Sequence, residues 1–329
     1  MSQVPVLRSP IGFLLIPQFA MIALSSAIEP LRIANRYVAR KYAWRLLSLD
    51  GKAVSDDNGI LIQPDSAYHR CGQLGTLILC SDIRPERFYS AALKRWLHAL
   101  DRAGTTLASL DTGCFLLARA GLLKGRRVTM HWEVLPSFHE RYPDIEVRPT
   151  LFEVGAERMT CAGGTAVIDM MLNEIAVEHG PQVANRVAEH CLHEHIRAGS
   201  SGQRMATPLR TGAYHPKLAR ALAWLEARLD APVRVAALAG EMRLSPRHLL
   251  RLFRDHLGET PQRHHLRLRL ERARALLAQT DLGMGEVGEA CGFASPAQFS
   301  RAYRSLYGET PSGTRRRQRG PRPVLDGAA

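Results

Sequence analysis

Ser245-Pro-Arg-His-Leu-Leu-Arg-Leu-Phe-Arg-Asp-His-Leu-Gly-Glu-Thr-Pro261 occurs twice in this chain. It returns fifty residues later as Ser295-Pro-Ala-Gln-Phe-Ser-Arg-Ala-Tyr-Arg-Ser-Leu-Tyr-Gly-Glu-Thr-Pro311. Ser, Pro, two Arg and the closing Gly-Glu-Thr-Pro recur in register, and a fixed offset marks one supersecondary unit used twice. Serine suits the N-cap, proline the first helical position and glycine the residue after the last turn, so each copy predicts a helix. Leu249, Leu252 and Phe253, and Phe299, Ala302 and Tyr303, give each helix one apolar stripe at i, i+3, i+4. The opposite face carries Arg247, Leu250, Arg251 and Arg254 in the first copy, and Ala297, Ser300, Arg301 and Arg304 in the second.

What precedes each copy decides what the helices are for. Val235 to Met242 predicts a short helix that turns through Arg243-Leu244 into Ser245. Glu286 to Cys291 does the same, through the longer turn Gly292-Phe293-Ala294. Helix, tight turn and second helix with an outward arginine face is a helix-turn-helix, whose second helix lies in the major groove. The alternative is a plain helical hairpin with solvated arginines, and the return of Arg251 as Arg301 weighs against it. The tandem resembles the AraC/XylS family of transcription regulators over about Pro216 to Arg317, including a linking helix at Arg267–Leu277 and the Gly292-Phe293 turn. Arg251 and Arg301 are expected to read guanine bidentately. Arg247, His248, Gln298 and Ser300 are expected to reach bases or phosphate, Leu250 and Ala297 thymine methyls, with Arg254 and Arg304 on the same DNA-facing surface.

Charge follows the same division. The 329 residues carry net +13. From Met205 onward 21 Lys and Arg stand against 11 Asp and Glu, whereas the first 204 residues hold 23 against 20. Phosphate neutralisation supplies most non-specific DNA affinity, so the basic part is the one expected on double-stranded promoter DNA. The six cysteines show no C-x-x-C pairing and no metal spacing, which points to reduced thiols in a cytoplasm. No stretch reads as a signal peptide or membrane span, since Ile11–Ile16 is short and ends at Pro17. No cofactor and no metal are expected.

Upstream, short apolar runs alternate with amphipathic ones. Ile11–Ile16, Trp44–Leu49, Ile60–Ile62, Gly75–Cys80 and Thr105–Leu110 predict strands. Ala27–Asn35, Glu86–Ala103, Thr112–Ala120 and Thr165–His179 predict helices. That alternation implies an α/β domain with a doubly wound, mostly parallel sheet, followed by an all-α domain with two helix-turn-helix motifs. The expected divisions are a sensing domain at 1–197, a small polar linker at 198–214, a DNA-binding domain at 215–317 and a disordered basic tail at 318–329.

In a parallel sheet, ligands sit beyond the carboxyl ends of the strands, and one junction stands out there. Ala108-Ser-Leu-Asp111-Thr-Gly113 turns sharply from strand into helix, followed by Ala120-Gly-Leu-Leu123 and by Thr129-Met-His131-Trp132. Over roughly residues 8–195 this resembles the class I glutamine amidotransferase-like, PfpI-type fold. Enzymes of that fold carry a cysteine at the elbow, where this chain has Asp111, with His131 in the histidine place. Cys114 lies three residues into the helix on a different face and does not substitute. Two roles remain for Asp111: capping the helix from Thr112, or serving as a counter-ion ionised by the helix N-terminus. Asp111, Thr112, His131 and Trp132 are therefore expected to line a pocket, with Phe19 and Trp44 supplying ring faces for an ammonium.

Regulators of that combined architecture respond to amino acids or small amines, including betaine and carnitine. The resemblance thus implies an activator of a catabolic operon, a small cationic metabolite as ligand, a homodimer and contact with RNA polymerase. Two alternatives remain: a hydrolase using the elbow aspartate, fused to a DNA-binding module, and a ligand-independent architectural DNA binder. His190, Cys191, His193 and His195 are read as one ordinary helix with surface histidines rather than a metal site, and His264-His265 as the start of the linking helix.

Overall fold

Alternating apolar and amphipathic runs become alternating strands and helices. The computed structural model describes residues 7–82, 84–204, 215–280 and 282–319. In chain order the first elements are β1 (Ile11–Leu15), α1 (Met21–Ala34), β2 (Trp44–Ser48), β3 (Val54–Ser55), β4 (Leu61–Ile62), β5 (Ser66–Ala67) and β6 (Thr76–Ser81). They continue with α2 (Ala91–Arg102), β7 (Thr106–Asp111), α3 (Cys114–Arg119), β8 (Arg127–Val128), α4 (Leu135–Arg141) and β9 (Glu146–Val147). β10 (Phe152–Val154), β11 (Arg158–Cys161), α5 (Ala166–His179) and α6 (Pro181–His190) complete the first of two compact units, which ends at Gln203.

Seven strands form one sheet in the order β10-β11-β7-β6-β1-β2-β5. All neighbours run parallel except β10 and β11. Side chains alternate across it: Ile11, Phe13 and Leu15 enter the core shared with α1, α5 and α6, whereas Leu14 and Ile16 enter the core shared with α2, α3 and α4. Both faces are covered, which is why the central strands read as unbroken apolar runs. Helix α2 begins later than the apolar pattern suggests. Ser90 caps it by accepting from the Leu93 amide at 3.0 Å, and Pro85–Phe88 form a separate 3₁₀ turn.

The second unit begins at Arg204. Its helices are α7 (Pro216–Glu226), α8 (Val235–Glu241), α9 (Pro246–Leu257), α10 (Pro261–Gln279), α11 (Met284–Ala290), α12 (Pro296–Tyr307) and α13 (Pro311–Arg319). They surround two apolar cores, one built on Leu222, Leu238 and Phe253, the other on Leu277, Val287 and Tyr303. The fifty-residue repeat extends beyond the quoted stretch. Glu259 pairs with Arg267 as Glu309 pairs with Arg317, and the contact of Phe253 with His264 becomes a hydrogen bond from Tyr303 to Thr314. The linking helix α10 is thus the first copy of the C-terminal helix α13.

Three boundaries differ from the sequence reading. Residues 198–203 are part of the first unit rather than a free linker. Leu151 donates its amide to the carbonyls of Gly199 and Ser201, and Gln203 Nε2 donates to Thr129 Oγ1, Met130 O and Thr150 O within 3.0 Å. Thr211 and Gly212 lie outside the described residues. The basic run Arg315–Arg319 is helical, with Arg315 buried, so 318 and 319 belong to α13 and the described chain stops there. Finally, α6 ends at His190, and Leu192 takes φ 53°. Cys191, His193 and His195 therefore lie beyond the helix rather than on it with His190. His193 instead turns inward, where its Nε2 donates to Asp169 at 2.8 Å.

Candidate functional site

At the carboxyl edge of the parallel sheet, Asp111 closes β7 with φ 57°, a left-handed conformation that costs a non-glycine residue about 1–3 kcal/mol. Such strain persists only where the surroundings enforce it, and here they do. Gly113 is required by close approach: a Cβ there would lie 2.9 Å from the Leu79 carbonyl oxygen. Gly163, at φ 92°, lies so close that its Cβ would stand 2.5 Å from Asp111 Oδ2. The β11–α5 loop thus rests directly on the carboxyl group.

The capping role expected for Asp111 is not what forms. The N-cap of α3 is Gly113, with no side-chain cap bond, and Thr112 is buried. The Thr112 hydroxyl is bonded to the Asp82 carbonyl and faces Ser81 Oγ at 3.1 Å. Nor do the surroundings favour the ionised form of Asp111. Burial, followed by the charges of Asp82, Glu133 and Asp57, pushes its carboxyl well above the ordinary range. Asp82 is pushed up to about 6 by burial, Asp57 and Glu133. Any field from the single-turn start of α3 is outweighed by desolvation and by like charge. Cys114 is fully buried against Ser109 and Thr129, and burial pushes its thiol up to about 12, so it is no thiolate nucleophile.

Asp57, Asp82 and Glu133 are the members of this site that the sequence reading missed. One signal was available. Asp82 immediately follows the apolar strand β6 at its carboxyl end, where a parallel sheet places ligands. Of the expected aromatics, Trp132 is 37% exposed and its ring stands 5.4 Å from that of His131, which burial holds below the ordinary histidine range. His131 faces Glu133 at 4.0 Å. Trp44 is at the wrong end of the sheet. It pairs with Ile11, which pairs with Thr76 and lies five residues from the row of Asp111, or about 16 Å at strand rise. Phe19 has no exposed surface, and its ring belongs to the core with Leu15 and Leu31. What Phe19 contributes is its carbonyl, which accepts from the Asp57 amide at 3.0 Å.

In the second unit, α9 and α12 are built by the same local rules. Ser245 accepts from the His248 amide and Ser295 from the Gln298 amide, both at 3.2 Å. Gly258 and Gly308 end the helices at φ 68° and 71°. Leu249, Leu252 and Phe253, like Phe299 and Tyr303, are buried. Arg247, His248, Arg251 and Arg254 are exposed, as are Ala297, Gln298, Arg301 and Arg304; Leu250 and Ser300 are half-buried. The structure therefore brings each expected set onto one outward face. Gln298 departs from expectation, because its Oε1 accepts from the Ala294 amide at 3.1 Å and clamps the turn. The second turn is held further by α10, whose Arg269 donates to the Cys291 and Gly292 carbonyls at 2.7 and 2.5 Å.

A helix-turn-helix domain family matches residues 238–317. A solved AraC family transcriptional regulator from Pseudomonas putida superposes with a TM-score of 0.51 and 27% identity, covering 55% of this chain and 98% of that one. Over 303 residues, 92% of this chain and 90% of the relative, the sequence is 44% identical to the HTH-type transcriptional regulator CdhR of Pseudomonas aeruginosa. The chain belongs to the AraC family of transcriptional regulators. This regulator is also 39% identical to GbdR of Pseudomonas aeruginosa, over 98% of its own length and 88% of the relative's. Its N-terminal fold is shared with a ThiJ/PfpI family protein from Pseudomonas syringae, at a TM-score of 0.51 and 19% identity over 68% of this chain and 89% of that one. Among the described residues no helix is long and apolar enough to cross a membrane.

Proposed function

We propose that this regulator is a cytoplasmic sensor of a small cationic metabolite, an amine or amino acid, bound beside Asp111, and that Arg251 and Arg301 read its operator. The observation that carries the ligand class is the convergence of Asp57, Asp82, Asp111 and Glu133 from four separate segments. The charges of Asp57 and Glu133 add to burial in driving Asp82 and Asp111 toward protonation. A cation among them relieves both costs, whereas an anion would add to them. Trp132 supplies the exposed ring face beside His131. A route outward lies close by. Gln203 holds the Met130 carbonyl, one residue before His131, and Arg204 opens the DNA-binding unit.

Activation of a catabolic operon, a homodimeric state and contact with RNA polymerase are read from the family resemblance. The hydrolase reading is the weaker one, because the relatives named above are called regulators and burial disfavours the charged form of Asp111 that would have to attack.

Calorimetric titration with betaine, carnitine, arginine and the neutral tert-butyl isostere of betaine tests the ligand class. The cations are expected to bind and the isostere to bind at least tenfold more weakly. Asp111→Ala should cost the cations about 1.5–3 kcal/mol, the worth of a bond to a charged group. Best binding by the neutral compound, or undiminished cation binding by Asp111→Ala, would defeat the idea.

The pH dependence has a definite sign. Both folded-state carboxyls sit above their unfolded values, so the folded state keeps protons that the unfolded state has lost. Without ligand, stability should therefore fall as pH rises from about 4 through 6 and beyond. A cation favours the ionised forms, so its affinity should fall as pH drops below about 6, with proton release detectable in buffers of different ionisation enthalpy. Cation affinity that is flat across that range would show that these carboxyls do not face the ligand.

A further inference from the structure

The outward stripes of α9 and α12 match in geometry and differ in chemistry. At the second, fifth, sixth and ninth places, α9 carries Arg247, Leu250, Arg251 and Arg254, whereas α12 carries Ala297, Ser300, Arg301 and Arg304. Among the described residues, the side chains of Arg247, His248, Arg251 and Arg254 make no hydrogen bond or ion pair, so their donors are uncommitted. Arg247 and Arg251 stand one turn apart on the same face. Four residues of helix rise about 6 Å, so the two guanidiniums address base pairs about two steps apart. The half-buried Leu250 between them presents only apolar surface, which suits a thymine methyl.

The corresponding part of α12 has far less reach. Ala297 carries a single methyl where Arg247 carries a guanidinium. Ser300 is short and half-buried. Gln298 is exposed, yet its carboxamide is already engaged. The Ala294 amide is a donor, which fixes the end facing it as Oε1. The bidentate reading of adenine needs both ends of a carboxamide, so Gln298 cannot make it while the turn is intact. In α9 the equivalent place is taken by the exposed His248.

We propose that the two segments of the operator are read unequally: the one under α9 is specified at more base pairs than the one under α12, where Arg301 is the single long-reach reader in the N-terminal half of the helix and Gln298 is a turn clamp. The proposal rests on the reading above that both helices enter the major groove.

Selection of bound sequences from a randomised duplex pool, using the full chain, tests it. Arg251→Lys and Arg301→Lys keep the charge and lose the fork, so each should relax preference in one segment and thereby assign that segment to a helix. The segment assigned to Arg251 should show two specified purines about two steps apart, and the one assigned to Arg301 a single one. Ala297→Arg should add a guanine preference of roughly tenfold in the second segment. Gln298→Ala should lower the melting temperature and leave base preferences as they were. Gln298→Glu, which keeps an acceptor for the Ala294 amide, should restore that temperature. Equal specification of both segments, or a changed base preference in Gln298→Ala, would overturn the proposal. A wild-type chain that selects no sequence at all would overturn the groove-insertion reading along with it.

Discussion

Replacing Gly292 by alanine is expected to weaken specific operator binding about a hundredfold while leaving the N-terminal unit folded. Gly292 sits in the turn of the second helix-turn-helix at φ 72°, and a Cβ there would lie 2.5 Å from the Asp230 carbonyl oxygen. Asp230 belongs to the segment between α7 and α8, so this glycine is where the second motif meets the segment that leads into the first. The neighbouring bonds fix the contact from the other side. Arg269 of α10 donates to the Gly292 carbonyl and stacks 4.4 Å over the Phe293 ring, and His265 donates to the Arg228 carbonyl at 2.7 Å. A methyl cannot be absorbed by backbone pinned on both sides. The left-handed conformation and the overlap together should cost on the order of 3 kcal/mol.

The functional loss should be larger than the stability loss suggests, because two recognition helices on one chain bind together only if their spacing is kept. A fall in operator affinity of about a hundredfold in a mobility-shift or anisotropy titration is the expected result. Gly258→Ala is the control. It has a similar φ of 68° with nothing within 4 Å of the new methyl, and should cost only about 1 kcal/mol. Equal behaviour of the two variants would show that this contact is unimportant.

Asp169→Ala should give the largest stability loss in the N-terminal unit. Asp169 has no exposed surface and accepts four bonds within 2.9 Å: from His193 Nε2, from the Arg197 amide, and from Arg197 Nε and Nη2. These bonds tie the segment after α6 to α5, just before the chain runs past β10 to Gln203. Arg197 is partly exposed and can be rehydrated, so the loss should be about 3 kcal/mol, at the low end for breaking a buried charged pair. Chemical denaturation of the first unit reads the stability, and limited proteolysis reads the segment, which should become cleavable between 193 and 203. An unchanged midpoint together with unchanged cleavage would mean that packing alone holds this segment.

Features that depend on a few neighbouring residues were legible in the sequence. Ser245 and Ser295 cap their helices, Gly258 and Gly308 end them, and the fifty-residue repeat places Arg251 and Arg301 on matching exposed faces. The sharp turn after β7 was legible too, because a strand that meets a helix at Asp111-Thr-Gly113 leaves little conformational choice. These are consequences of hydrogen bonds and torsions that span four residues or fewer.

What depends on distant segments was decided only by the tertiary structure. Trp44 and Phe19 are aromatic and lie near the right elements, but strand direction sends one to the far end of the sheet and burial encloses the other. Residues 198–203 have a linker's composition and yet are held by Thr129, Met130, Thr150 and Leu151. Gln298 has a reader's side chain, but an amide four residues back takes its oxygen. Asp111 shows the limit most clearly. Its place at the helix start suggested an ionised carboxylate, whereas its charge state is set by exclusion of water and by Asp57, Asp82 and Glu133. Desolvation and Coulomb repulsion act through space, and no local pattern in the sequence records them.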